Sequence, residues 1–346
     1  MRVLLTGHQG YLGTVLAPVL AAAGHEVVGL DSGLFADCVL GPAPQDPPGL
    51  AMDLRDVELA DLAGFDAVVH LAALSNDPLG SLAPQITYDI NQHASTRLAT
   101  LARDAGVGRF LYASTCSVYG AAGGDELVGE DAPLCPVTPY AASKVRVEDA
   151  LFALADDDFC PVSLRNATAF GFSPRLRADI VLNNLVGHAV LSGVVRVLSD
   201  GTPWRPLVHA ADLAAAFLAA LEAPRQAVHG KAFNIGSETN NVTVAQIADA
   251  VVATVPGSTL AITGENGPDP RSYRVDFSAV RAALPEFDPQ WTIEAGAREL
   301  YRAYLAHGLT QEGFDRRFTR LARLSDRQAA GELAADMRPV RAGATP

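Results

Sequence analysis

Tyr140 and Lys144 stand four residues apart in Tyr140-Ala-Ala-Ser-Lys144. On a helix this spacing puts a phenol and an ammonium on one face, within reach of a common site. A free phenol titrates near about 10 and is a poor base at neutral pH. A fixed cation beside it favours the phenolate and draws it toward the working range. Such a pair suits removing a proton from a hydroxyl while the carbon that bears it gives up hydride. A Tyr and a Lys four apart also occur by chance on many helices, so the pair takes its meaning from its company. That company is Thr115 and the run Thr6-Gly7-His8-Gln9-Gly10-Tyr11-Leu12-Gly13 near the start of the chain.

The glycine run lies between an apolar stretch (3–6) and a helical pattern (12–23). In that context glycines permit a tight turn, close approach of backbone to a pyrophosphate, and close packing of helix on strand. The helix N-terminus adds unpaired N–H groups and a dipole that favours phosphate. Gly7, Gly10, Tyr11, Leu12 and Gly13 are therefore candidates to hold a dinucleotide. A plain strand-to-helix turn would also use glycines, but the run opens the first strand–helix unit. Asp31 ends the second apolar run, where a carboxylate accepts hydrogen bonds from the adenosine ribose. It would repel a 2′-phosphate, and no Arg follows at Ser32 or Gly33, which favours NAD over NADP. Asp53, after Leu50-Ala51-Met52, either meets the adenine amino group or caps a strand end.

These groups need a scaffold, and the first half of the chain alternates apolar runs with helical patterns. Strands are expected over 3–6, 26–30, 67–72, 109–114 and 161–165, and helices over 12–23, 91–105 and 139–155. The alternation predicts an α/β fold, a Rossmann-type doubly wound parallel sheet with helices on both faces. After Gly171 the pattern changes. A helix over 208–222 and a strand over 232–235 are expected to rejoin the first domain. The organisation expected is a dinucleotide-binding domain over 1–171 and 203–239, and a smaller mixed α/β substrate-binding domain over 172–202 and 240–310. A helical C-terminal tail (311–346) is expected to pack on the second domain through Phe314, Phe318, Leu321 and Leu324.

The chain has 346 residues, 49% hydrophobic and 19% charged, the balance of an ordinary globular protein. Its net charge of −13 argues against nucleic acid or an anionic membrane as partner. Cys38, Cys116, Cys135 and Cys160 show no paired spacing, so neither a metal site nor a disulfide framework is indicated. No signal peptide is read ahead of the first strand, and the apolar stretch 15–23 holds Pro18 and is too short to span a bilayer. A cytoplasmic enzyme is expected.

Taken in order, the glycine run, Asp31, His70-Leu71-Ala72-Ala73, Ser114-Thr115-Cys116-Ser117-Val118-Tyr119-Gly120 and Tyr140-x3-Lys144 make the chain resemble the extended short-chain dehydrogenase/reductases. Within them it is similar to the NAD-dependent nucleotide-sugar epimerase/dehydratase group, over about residues 1 to 305. The resemblance implies that Thr115 hydrogen-bonds the reacting sugar oxygen and that Tyr140 is the acid/base. It implies that Lys144 holds the nicotinamide ribose and lowers the Tyr140 pKa. It places Leu54, Leu71, Ala72 and Ala73 at NAD and makes Asn91 either a support of the site or a packing residue. A nucleotide diphosphate sugar is the implied substrate and a homodimer through 91–105 and 139–155 the implied assembly.

Two departures narrow the chemistry. The 4,6-dehydratases carry an Asp-Glu pair after the Ser/Thr, and here Cys116 and Ser117 stand in its place. A 3,5-epimerase places a cysteine acid two positions after it, whereas Cys116 is one after, a small buried residue by expectation. In Leu164-Arg165-Asn166-Ala167-Thr168, the family's sugar-diphosphate Asn is replaced by Thr168. For the substrate, the resemblance points to Thr168, Asn184, Arg205 and Arg274, arginine suiting phosphate oxygens. Arg175 and Arg177 are either phosphate cations or solvated loop charges. His209 and Asp212 read as capping and packing residues. The expected activity is an epimerase working through a transient 4-keto sugar. The alternative is a 4-ketoreductase or a dehydrogenase that releases a keto-sugar.

Overall fold

Runs such as Val3-Leu4-Leu5 and Ala67-Val68-Val69, apolar at every position, suit strands covered on both faces. In the computed structural model, which describes residues 1–75, 84–120, 126–265 and 272–340, that is where they lie. β1 (Arg2–Thr6), β2 (Glu26–Asp31), β3 (Gly49–Ala51), β4 (Ala67–His70) and β5 (Arg109–Thr115) belong to one sheet. With β7 (Cys160–Asn166) and β11 (Lys231–Ile235) it has seven strands in the order β11-β7-β5-β4-β1-β2-β3. Every pairing in it is parallel. Alternate residues face opposite sides. Val3, Leu5, Val69 and Leu111 meet the Tyr11–Ala22 and Ala210–Glu222 helices, through Leu16, Leu20, Leu213 and Phe217. Leu4, Val68, Phe110 and Tyr112 meet the Ser95–Asp104 and Pro139–Ala153 helices, through Leu98, Ala102, Val147 and Leu151. Strand order reverses between β1 and β4, which opens a crevice at their carboxyl ends.

Three small sheets follow the changed pattern of the second half. β8 (Thr168–Phe170) runs parallel to β10 (Trp204–His209), which pairs antiparallel with β12 (Asn241–Thr243). β9 (Val194–Val197) pairs with β13 (Thr259–Ile262), and β6 (Leu127–Val128) with β14 (Arg274–Val275). The Val181–Ser192, Val244–Thr254 and Ile293–Ala306 helices close a separate core around Leu182, Val186, Ile247, Val251 and Leu300.

Three expectations are corrected. Val208 and His209 end a strand instead of opening the 208–222 helix, and that strand pairs with β8 and β12 rather than with the central sheet. The helix begins at Ala210, because His209 Nδ1 accepts from the Ala211 N–H (3.1 Å) and so caps it. The 91–105 helix starts earlier, at Pro84, and passes through a wide π-type turn at Tyr88–Ala94 before the Ser95–Asp104 segment. The tail does not rest on the second core alone. Phe314 and Phe318 enter that core, but Leu324, Leu333 and Met337 pack with Leu34 and Leu74 of the first half. Residues 341–346 of the tail lie outside the described residues. Among the described residues no helix is long and apolar enough to cross a membrane, and no group of His, Cys, Asp and Glu is placed to hold a metal.

Candidate active site

Gly7 follows β1 with φ +76°, a conformation that favours glycine, and a Cβ there would stand 2.8 Å from the Ala72 nitrogen. At Gly13 a Cβ would be 2.2 Å from the Gly7 carbonyl oxygen, so helix and turn touch backbone to backbone. The turn is closed by the Gly10 N–H donating to Gly7 O (3.0 Å) and the Gly7 N–H donating to Leu30 O (2.8 Å). Asp31 braces it, Oδ2 accepting from the Gln9 N–H (3.0 Å) and Oδ1 from the Gly33 N–H (2.8 Å). Burial raises the Asp31 pKa against the lowering effect of these bonds. Behind the turn, Thr6 Oγ1 and His70 Nδ1 share a 2.7 Å hydrogen bond, and His70 Nε2 meets Ser95 Oγ at 2.8 Å. Thr6 Oγ1 also accepts from the Ala72 N–H (3.2 Å), which fixes the backbone at the end of β4. Burial, aided by the Lys144 charge, pushes His70 down to about 3, so it is neutral at neutral pH.

The chemical pair is placed by a well-capped helix. Thr138 Oγ1 accepts from the Ala141 N–H (3.2 Å) and Pro139 takes the first helical position. Tyr140 thus lies in the first turn, where the helix dipole favours negative charge. Lys144, 2% exposed, donates from Nζ to Ala113 O (2.7 Å). Its Nζ stands 4.6 Å from the Tyr112 ring centroid and 5.7 Å from that of Tyr140. Burial pushes the ammonium down to about 7, against the pull of the Glu148 carboxylate. Thr115, the last residue of β5, accepts at Oγ1 from the Ser117 N–H (3.1 Å). Asn166 is its register partner on β7.

All of these groups converge on one cavity of about 640 Å³. Its wall includes the candidates Gly7, Gly10, Tyr11, Leu12, Gly13, Asp31, Asp53, Leu54, Leu71, Ala72, Ala73, Thr115, Tyr140, Lys144, Thr168, Asn184 and Arg205. That size and mixed lining suit an elongated polar ligand.

A family model described as "NAD dependent epimerase/dehydratase family" matches residues 3–236. The chain belongs to that family. A UDP-glucose 4-epimerase of Corynebacterium glutamicum is 31% identical over 253 residues, 68% of this chain and 75% of that protein. The low-salt glycan biosynthesis protein Agl12 of Haloferax volcanii is 28% identical, over 88% of this chain and 99% of its own. Among solved structures, the NAD-dependent NDP-hexosamine 5,6-dehydratase TunA superposes with a TM-score of 0.78 at 26% identity, covering 88% of this chain and 98% of that one. MoeE5 in complex with UDP-glucuronic acid and NAD superposes with 0.75 at 28% identity, covering 88% and 99%.

For a member of the NAD-dependent epimerase/dehydratase family, the cradle fits the cofactor. The Gly7 and Gly13 contacts leave no room for side chains, and an acidic residue stands at the end of β2. Asp53 does two things at once. It lines the cavity and caps the 54–56 turn, with its carboxylate held by Arg55 (Nε to Oδ1 2.9 Å, Nη2 to Oδ2 2.7 Å).

Several expected residues stand elsewhere. Asn91 is buried behind the wall, accepting from Leu74 N–H (2.8 Å) and donating to Leu74 O (3.0 Å), so it holds the Leu74 backbone rather than facing the cavity. Arg274 lies outside the cavity wall with its guanidinium over the Trp204 ring (4.9 Å to the centroid). The neighbouring Arg271 falls outside the described residues. Arg175 is neither a phosphate cation nor a solvated charge: it is buried and paired with both Asp46 oxygens (2.6 Å each) and Thr14 Oγ1 (2.9 Å). Arg177 lines the cavity, paired with Asp179. Cys116 is buried and donates to Arg165 O (3.1 Å), and burial raises its thiol pKa, which agrees with a packing residue rather than an acid. His209 and Asp212 do cap and pack: His209 also meets Glu299 Oε2 (2.8 Å), and Asp212 accepts from the Gln290 and Trp291 N–H groups.

Residues without a local signal also reach the site. His70 has no signal beyond the His70-Leu71-Ala72-Ala73 motif, yet with Thr6 and Ser95 it anchors the Ala72 backbone. Asn166 lines the cavity, and its Oδ1 is buried without a partner among the described residues. Strand register beside Thr115 is what brings it there.

Proposed function

We propose that this chain is an NAD-dependent nucleotide-sugar epimerase that inverts one sugar carbon through a transient 4-keto sugar. The observation that carries the reading is the convergence of Thr115, Tyr140 and Lys144 on the cavity that holds the glycine turn and Asp31. NAD, when bound, supplies the hydride acceptor and donor. Tyr140 takes the proton of the sugar 4-hydroxyl and returns it after the ketone has turned over. Thr115 already accepts from the Ser117 N–H, which leaves its own hydrogen to be donated to the same sugar oxygen. Lys144 and the helix N-terminus favour the phenolate. Arg205 and Asn184, both in the wall, are assigned to the substrate diphosphate, and Thr168 to the sugar. UDP-sugars are the substrates to try first, given the Corynebacterium relative and the MoeE5 complex. The reading extends to a homodimer across the helices at 91–105 and 139–155, acting in the cytoplasm.

A second reading, loss of water from the oxidised sugar, is favoured by the likeness to TunA. Against it stand the missing carboxylate pair and the buried Cys116. Incubating the purified protein with UDP-glucose, UDP-glucuronic acid and UDP-N-acetylglucosamine separates the readings. An inverted sugar with no accumulation of reduced nicotinamide is the expected result. Stoichiometric reduced cofactor would assign a dehydrogenase, and a product lighter by one water a dehydratase.

A further inference from the structure

The tail beyond the family match comes back over the adenosine side of the cleft. Arg327 donates to Leu34 O (2.9 Å) and Arg323 pairs with Asp37 (2.6 Å), both on the segment that follows Asp31. Farther on, Arg338 pairs with Asp56 (2.8 Å) and Arg55 donates to Asp336 O (3.0 Å), next to Asp53. From within this strap Arg320 reaches the cavity wall. Its residue is 4% exposed, and both terminal nitrogens are buried without a hydrogen-bond partner among the described residues. The guanidinium lies over the Phe35 ring, 4.4 Å from its centroid. Arg177, the other arginine of this part of the wall, is already neutralised by Asp179.

A buried guanidinium without an acceptor is unfavourable unless an anion completes it. Burial pulls Arg320 down to about 10, with Arg177 adding to the fall and Cys38, Asp179 and Asp37 only partly opposing it. The charges of Arg177 and Arg320 both act on the buried hydroxyl of Tyr11, the first residue of the helix whose N-terminus faces the glycine turn.

We propose that the C-terminal tail is part of the cofactor site, and that the Arg320 guanidinium binds the diphosphate of the dinucleotide. The position favours the dinucleotide over the sugar nucleotide, since Arg320 stands against Phe35 and the strap that covers the segment after Asp31. The inference rests on NAD as cofactor and not on the epimerase reading, so the two can fail separately.

The test is calorimetric titration of apo R320M with NAD and, separately, with UDP, alongside unfolding of the apo protein. The NAD Kd is expected to rise about ten- to a hundredfold, the loss of a charged, bidentate contact. The UDP Kd should stay within about twofold, and the apo unfolding midpoint should hold or rise, because an unpaired buried charge is gone. An unchanged NAD Kd, or a UDP Kd that weakens while that of NAD does not, would overturn the proposal. So would a fall in the apo midpoint with NAD affinity kept, which would make the arginine structural. If R320M does not fold, R320K carries the test, since lysine keeps the charge but not the fork. It should bind NAD several-fold more weakly than the native protein, and native affinity in R320K would overturn the assignment.

Discussion

Tyr140→Phe is expected to lower turnover about a thousandfold, the scale of a lost general acid/base, while NAD affinity stays within about twofold. The asymmetry follows from geometry. The dinucleotide cradle is built by the glycine turn, the Asp31 carboxylate and the backbone at Ala72, none of which needs the phenol oxygen. In the proposed reaction the Tyr140 hydroxyl acts where a proton must leave the sugar oxygen. Phe keeps the ring beside Lys144 and the capped first turn of the helix, so the variant is expected to fold. Steady-state rates with the preferred UDP-sugar and a separate NAD titration check both halves. Near-native turnover would remove Tyr140 from the chemistry, and lost NAD binding would make its role one of cofactor binding.

The second large effect is on stability. Arg165 is buried on β7 and donates from Nε and Nη2 to the Glu148 carboxylate (2.7 to 3.2 Å), and from Nη1 to Tyr119 Oη (3.1 Å) and Glu130 O (2.9 Å). Glu148 is 1% exposed and sits one turn after Lys144 on the Pro139–Ala153 helix. Tyr119 Oη in turn donates to Asn234 Oδ1 (2.6 Å) on β11. The network therefore locks the helix bearing Tyr140 and Lys144 to the sheet edge. Arg165→Met would leave a buried carboxylate alone, and a loss of about 3–5 kcal/mol is expected in denaturant unfolding. Adding Glu148→Met should recover a good part of it, because the pair is held by its partners and not by a net gain over apolar packing. A single variant as stable as the native chain, or a double variant weaker than the single, would contradict this account of the network.

The parts of the site legible in the sequence share one property: their geometry is local. Tyr140 and Lys144 are one helical turn apart. The glycine run carries its own strand-turn-helix context, and Asp31 closes the next strand. Residues delivered from afar gave no comparable signal. His70 and Ser95 meet across two elements, Asn166 arrives by register beside Thr115, and Arg175 finds Asp46 across 129 positions. Periodicity reports which face is buried, not which buried partner it meets. The misplacement of Val208 and His209 has a related cause. An apolar run that feeds a helix reads as its first turn, and only the His209 cap and the pairing of β10 with β8 show where extended chain ends. The tail has the same cause: its helical face gives no sign that Leu324 and Met337 settle on Leu34 and Leu74.

The central claim is that hydride leaves and returns to one sugar carbon. Its most direct test is turnover of a UDP-sugar deuterated at the 4-position, with the product read by nuclear magnetic resonance. The account predicts an inverted sugar that keeps the deuterium on that same carbon. Deuterium lost to solvent, or carried to another carbon of the product, would contradict it.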